Sequence, residues 1–171
     1  MSASTARLFI ALWPDDAVRF DLARRRDAWS WPRSASPVNT ERLHVTLQFL
    51  GDVERALLAD LSDALAVPFA PFALEFGRNV LWPHGIAVLE PHVAPPALMH
   101  LHARLDKALS GMRIALETRA YRPHVTLARR AGKTAPPEEA APLVWQVNGY
   151  RLMESVPGSG GGYITLRAYP D

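Results

Sequence analysis

The chain contains no cysteine. That excludes disulfides, a thiolate nucleophile and any zinc site built on Cys, without identifying a compartment. It also lacks an apolar run approaching the roughly 18 residues of a membrane-spanning helix, so no membrane association is expected. No basic stretch followed by an apolar core opens the sequence. Met1-Ser-Ala-Ser-Thr-Ala-Arg7 runs straight into a strand-like segment, so no signal peptide is expected and the cytoplasm is the default location. Neither sign of charge dominates: 19 Lys and Arg against 17 Asp and Glu leave a net charge of +2 at pH 7. That mildly basic balance suits an anionic ligand without requiring a nucleic acid.

What is present describes an ordinary globule: 171 residues, 49% hydrophobic and 21% charged. The length allows one domain with a real core, or two small lobes sharing one. The most informative feature is a repeated tetrapeptide. His-Val-Thr-Leu stands at His44–Leu47 and again, 80 residues on, at His124–Leu127. For any one pair of histidines, the next three residues agree by accident roughly once in a thousand at ordinary composition, so chance is a poor explanation. Alternating His-apolar-Thr-apolar suits a half-buried strand, whose side chains switch faces at every residue. His44 and Thr46 then share one face, as do His124 and Thr126, while Val45, Leu47, Val125 and Leu127 point into a core.

The surrounding pattern repeats too. Arg7–Leu12 reads as a strand ending at Trp13-Pro14, and Asp15 and Asp16 start a helix that runs to about Trp29. Ser30–Thr40 is a loop rich in Pro, Ser and Asn. The first His strand covers about 43–50. Val53, Leu57, Leu58, Leu61 and Leu65 make a helical stripe over Val53–Ala66, and Phe72–Phe76 is a short strand. A second round follows: a strand at Gly85–Glu90, a helix opened by Pro95-Pro96 that carries Leu98, Leu101, Leu105 and Leu109, and a strand at Ile114–Thr118. The second His strand covers about 122–129. Leu143–Ser155 and Tyr163–Tyr169 read as two strands joined by Pro157–Gly162. The expected architecture is α+β. Two pseudo-twofold-related β/α lobes form one bilobal domain over residues 1–171, with the His strands facing across a central cleft.

Two imidazoles and two hydroxyls suit acid–base chemistry at phosphorus. One ring can be neutral while the other is protonated. The hydroxyls can donate to the oxygens over which phosphoryl charge spreads. Such a site needs no metal or other cofactor. Arg129 lies five residues past His124, an odd offset, so it reaches the site only if the strand twists, bulges or ends there.

These residues resemble the two-histidine (2H) phosphoesterases, and among them the RNA 2′,3′-cyclic phosphodiesterases formerly called 2′-5′ RNA ligases. Arg7-Leu-Phe-Ile-Ala-Leu12 is similar to the family's opening strand. Leu43-His-Val-Thr-Leu-Gln-Phe-Leu-Gly51 and Arg122-Pro-His-Val-Thr-Leu-Ala-Arg129 are similar to its two motifs. Leu152-Met-Glu-Ser155 with Gly162-Tyr-Ile-Thr-Leu166 resembles its closing strand pair. Arg42 departs from the family's usual small polar residue, which bears on the edge of the cleft. The resemblance implies a bilobal fold of mainly antiparallel strands with outer helices. It implies hydrolysis of RNA ends or nucleotides bearing a 2′,3′-cyclic phosphate to a 2′-phosphomonoester. His44 is then the proton donor and His124 the proton acceptor. Thr46, Thr126 and Arg129 bind phosphate, Phe9 and Phe49 are candidates for base or ribose contact, and the protein acts as a monomer.

Two other functions are compatible with the same residues: reversible 2′-5′ ligation of RNA, and a catalytically idle module that binds nucleotide or RNA. The remaining features have plainer readings. On a helix His100 and His102 point to nearly opposite sides and cannot share an ion; with His84 and His92 they read as surface or edge histidines. Gly158–Gly162 lacks the Lys-Ser/Thr and the following helix of a phosphate loop. Arg24-Arg25-Arg26 reads as a solvated helical face, and the tryptophans as packing.

Overall fold

The computed structural model describes residues 4–158 and 162–171. Part of the Gly158–Gly162 loop, residues 159–161, lies outside them. Nine strands among the described residues form one sheet. In chain order they are β1 (Thr5–Leu12), β2 (Ser36–Pro37), β3 (Val45–Glu54), β4 (Phe72–Trp82), β5 (Ile86–Pro91), β6 (Val125–Arg129), β7 (Leu143–Val147), β8 (Tyr150–Ser155) and β9 (Tyr163–Tyr169). Their order across the sheet is β7-β4-β5-β6-β3-β1-β8-β9, with β2 attached to β6. All pairings are antiparallel. The helices are α1 (Asp16–Asp27), α2 (Leu58–Ala64) and α3 (Pro96–Ser110), and none is long and apolar enough to cross a membrane. The fold is α+β, as expected.

The sheet curls, and the chain shows why. β7 is one edge strand and β8 is next to the other edge, yet only Asn148 and Gly149 separate them in sequence. Two residues span well under 10 Å, so the far ends of the sheet must approach each other. At Gly149 a Cβ would stand 2.2 Å from the Tyr169 carbonyl oxygen, which only glycine tolerates. The expected single strand over Leu143–Ser155 is therefore two strands at opposite ends of the sheet. The buried positions change phase at the break, from Leu143, Trp145 and Val147 to Tyr150 and Leu152, and the slip falls on Asn148-Gly149.

Inside the curl a single core joins both halves. Leu8, Ile10 and Leu12 from β1, Leu74 and Phe76 from β4, and Leu98, Leu101, Leu105 and Leu109 from α3 are all buried in it. Full burial of each such side chain is worth about 1.5–3 kcal/mol. α1 adds Val18 and Leu22, and its first turn is capped by Asp15, whose Oδ1 accepts from the Val18 N–H at 2.8 Å.

Three other expectations are corrected. The helix expected over Val53–Ala66 begins only at Leu58, after a 3₁₀ turn at Arg55–Leu57, because Val53 is still paired with Ala6 in the sheet. Ile114–Thr118 is not a strand: β6 already has β5 and β3 as neighbours, and Ile114 and Leu116 pack on the core from irregular backbone. The two His strands do not face each other from opposite walls of the cleft but lie side by side along it. They are adjacent strands of one sheet, joined by the single pair Val45↔Val125.

Candidate functional site

Each strand of the repeat starts one residue after its histidine. Both histidines make the same turn-like contact just before it. His44 Nδ1 lies 2.6 Å from the Arg42 carbonyl oxygen, and His124 Nδ1 lies 2.8 Å from the Arg122 carbonyl oxygen. A carbonyl can only accept, so each Nδ1 carries the hydrogen and each neutral ring presents a lone pair at Nε2. His44 Nε2 accepts from the Thr46 hydroxyl at 2.9 Å. The alternation read from sequence holds here: Val45, Leu47, Val125 and Leu127 are buried, while His44, Thr46, His124 and Thr126 are part-exposed.

The antiparallel register centred on Val45↔Val125 sets His44 across from Thr126, and Thr46 across from His124. All four line one cleft of about 270 Å³. Phe9, Phe49 and Arg129 line it too, so the structure brings together every site residue the sequence pointed to.

Arg129 reaches the cleft through a bulge. Across β5 and β6, Val88 pairs with Thr126 and Ala87 with Ala128, which leaves Leu127 as an extra residue. The extra residue reverses the alternation, so Leu127 and Ala128 are both buried and Arg129 turns out. The first copy is built in the same way. Ile10 pairs with Gln48 and Ala11 with Thr46, Leu47 is the extra residue, and Phe49 turns into the cleft.

The two rings sit in different surroundings. His44 is boxed by aromatics: Trp13 stacks at 5.5 Å, Phe9 lies at 5.2 Å and Tyr163 stands edge-on at 5.6 Å. Burial pushes its pKa below the usual histidine value; the Arg42 carbonyl works against this, and His124 adds to it. His124 lies 4.3 Å from the Trp82 ring. Burial lowers its pKa as well. The Arg122 carbonyl and the Glu90 carboxylate raise it, and the Arg122 and Arg129 guanidiniums lower it.

Sequence reasoning passes over several neighbours. Trp13 and Trp82 read as packing along with the other tryptophans, and Glu90 is buried with no local signal that marks it. Arg42 does shape the cleft edge, with its guanidinium 5.5 Å over the Tyr163 ring. The remaining features have structural roles. His102 stacks on Tyr121 at 4.1 Å, and Arg26 donates to the Val38 carbonyl and the Thr40 hydroxyl, which anchors the segment leading to His44. Trp29 and Trp31 stack on each other at 5.0 Å. Among the described residues no group of three or more His, Cys, Asp or Glu is placed to hold a metal ion.

The arrangement offers two imidazoles for proton transfer, two hydroxyls and the guanidiniums of Arg7, Arg42 and Arg129, all lining one cleft. Proteins of known structure share the fold. E. coli LigT complexed with 3′-AMP superposes with a TM-score of 0.89 at 24% identity, over 96% of this chain and 97% of that one. TT0787 of Thermus thermophilus gives 0.78 at 27% identity, over 95% and 96%. In sequence, a T. thermophilus protein named RNA 2′,3′-cyclic phosphodiesterase is 29% identical over 87% of this chain and 81% of its own length. A protein of that name from Geobacillus stearothermophilus is 29% identical over 78% of this chain. The matched region spans only 46% of the G. stearothermophilus protein and 40% of an Archaeoglobus fulgidus protein of the same name. The model of the 2′-5′ RNA ligase superfamily matches residues 14–155, a span that contains both His-Thr pairs and the strands that carry them, and the chain belongs to that superfamily.

Proposed function

We propose that this protein hydrolyses the 2′,3′-cyclic phosphate of an RNA end or a nucleoside to the 2′-phosphomonoester, with His44 as proton donor and His124 as proton acceptor. The observation that carries this reading is the convergence of two His-Thr pairs and Arg129 on one small cleft. The names of the relatives agree with it. Residues 1–171 act as one bilobal catalytic unit and as a monomer, since both halves of the sheet contribute to the cleft.

In the proposed reaction Thr46, Thr126 and Arg129 hold the non-bridging oxygens of the cyclic phosphate. His124 Nε2 takes a proton from water and the water oxygen attacks phosphorus. The P–O3′ bond breaks, its electron pair goes to O3′, and His44 Nε2–H protonates that oxygen. One water is consumed and no metal is required. Protonation of His44 has a second effect: Nε2–H no longer accepts from Thr46, whose hydroxyl is then released to the phosphate. Phe9 and Phe49 flank the ribose or base.

Phosphorus NMR of products from the four nucleoside 2′,3′-cyclic phosphates and a short cyclic-phosphate-ended RNA tests the reading. A 2′-phosphate is expected. A 3′-phosphate product overturns the assignment of the leaving oxygen. Binding without turnover points instead to the idle binding module.

A further inference from the structure

Glu90 is the only buried carboxylate among the described residues, at 4% exposed. An ionised carboxylate is kept there only if its charge is met. Arg122 meets it with a two-pronged contact, Nε to Oε2 at 2.5 Å and Nη2 to Oε1 at 2.9 Å. The same guanidinium lies 4.8 Å over the Trp82 ring, and that ring packs 4.3 Å from the His124 ring. The backbone carbonyl of Arg122 accepts the His124 Nδ1–H. A buried acid thus clamps both the residue that orients the imidazole and the aromatic wall beside it.

The two halves differ at this point. Both histidines bond the carbonyl of an arginine two residues earlier, and each arginine lies over an aromatic ring. Among the described residues a buried carboxylate stands only on the His124 side. Around His124 the charged groups are Glu90 from β5, Arg122 from the preceding segment and Arg129 from β6. Around His44 they are Arg42 from the preceding segment and His124 just ahead of β6, with the Tyr163 phenol from β9. The Glu90 charge favours the proton-bearing form of His124 by opposing the Arg122 and Arg129 guanidiniums, which disfavour it. A base gains positive charge in the transition state, whereas an acid loses it.

We infer that Glu90 is a positioning residue which, through Arg122 and Trp82, fixes His124 as the proton-accepting member of the pair. The inference rests on the cyclic phosphodiesterase reading and adds to it a reason for the direction of proton flow. The near-symmetric repeat hides that direction, and the buried carboxylate breaks the symmetry.

The test compares Glu90→Gln with His44→Gln and His124→Gln on two substrates. One is a nucleoside 2′,3′-cyclic phosphate, whose leaving alkoxide needs a proton. The other is a nucleoside p-nitrophenyl phosphodiester, whose leaving phenolate does not. Glu90→Gln is expected to lose about tenfold or more in kcat on both, alongside His124→Gln. His44→Gln is expected to lose the cyclic substrate and keep the activated one. With labelled histidine, NMR titration of Glu90→Gln is expected to show the His124 pKa falling and the His44 pKa unchanged. The inference is overturned if Glu90→Gln matches the wild type on both substrates, or if the activated substrate rescues it as it rescues His44→Gln. It is equally overturned if the NMR shift falls on His44. Should Glu90→Gln not fold, the volume-conserving Glu90→Leu/Arg122→Met pair replaces it in the two-substrate comparison, with the same loss expected and wild-type turnover as the refuting result. The NMR shift in folded protein is read without turnover, so it distinguishes failure of this inference from failure of the phosphodiesterase reading.

Discussion

Phe49 and Arg129 occupy equivalent places, each five residues past a repeat histidine, and both face the cleft because Leu47 and Leu127 are bulged. The backbone is duplicated to the level of the bulge, yet one position carries an aromatic ring and the other a permanent cation. On the Phe49 side the cations come from elsewhere in the chain: Arg7, with its guanidinium 5.0 Å over the Phe49 ring, and Arg42. Arg129→Ala is expected to lower kcat/KM for a cyclic nucleotide about tenfold to a hundredfold, the equivalent of a lost charge-assisted hydrogen bond. Steady-state kinetics check this, and an unchanged kcat/KM removes Arg129 from the phosphate site.

His44→Ala and His124→Ala are each expected to cost about 10²–10⁴ in kcat while leaving the far-UV circular dichroism unaltered. Neither ring lies in the main core, so folding should survive. EDTA is expected to leave the wild-type rate as it was. Retained turnover in either variant would falsify the two-histidine mechanism.

The pH dependence follows from the direction of the two shifts. Both rings are pushed below the ordinary value of 6.5, chiefly by burial. Activity needs one protonated and one neutral, so kcat/KM should be bell-shaped with its maximum on the acid side of 6.5. The bound anion favours the imidazolium, so the kcat profile should lie at higher pH than the kcat/KM profile. Stability follows the same shifts. Above 6.5 the rings are neutral in the folded and unfolded chains and contribute nothing. As pH falls below that value the unfolded chain takes up protons first, and stability is lost until the folded-state values are passed. Urea midpoints measured from about pH 7.5 down to about 5 should fall, and fall less in His44→Gln. A flat series would show that burial does not disfavour the charged rings.

Gly149→Ala is expected to destabilise the protein by about 1–3 kcal/mol, because the added Cβ meets the backbone of Tyr169. Urea denaturation measures it. The equivalent change at Gly132, where nothing lies within 4 Å of the added Cβ but φ is +64°, tests backbone strain without a clash. A smaller loss at Gly149 than at Gly132 would show that the start of β8 is not held against Tyr169 of β9.

Local pattern in the chain is enough to name the chemistry of the site. Period-two alternation dictates that His44 and Thr46 share a face, as do His124 and Thr126, because successive side chains on a strand point to opposite sides. Duplication of the tetrapeptide supplies a reason for those pairs to meet. Other features are beyond what periodicity can encode. Bulges at Leu47 and Leu127 are properties of strand pairs, so the turning of Phe49 and Arg129 into the cleft depends on registers invisible in either strand alone. The division of 143–155 depends on which strands each part pairs with, β4 for Leu143–Val147 and β1 and β9 for Tyr150–Ser155, with Gly149 fitting beside Tyr169 where β9 meets the start of β8. The setting of each histidine comes from segments distant in sequence: Trp13 and Tyr163 on one ring, Trp82 and the Glu90–Arg122 pair on the other. Alternation along a strand identifies the reacting groups, and long-range packing sets their charge preference and orientation.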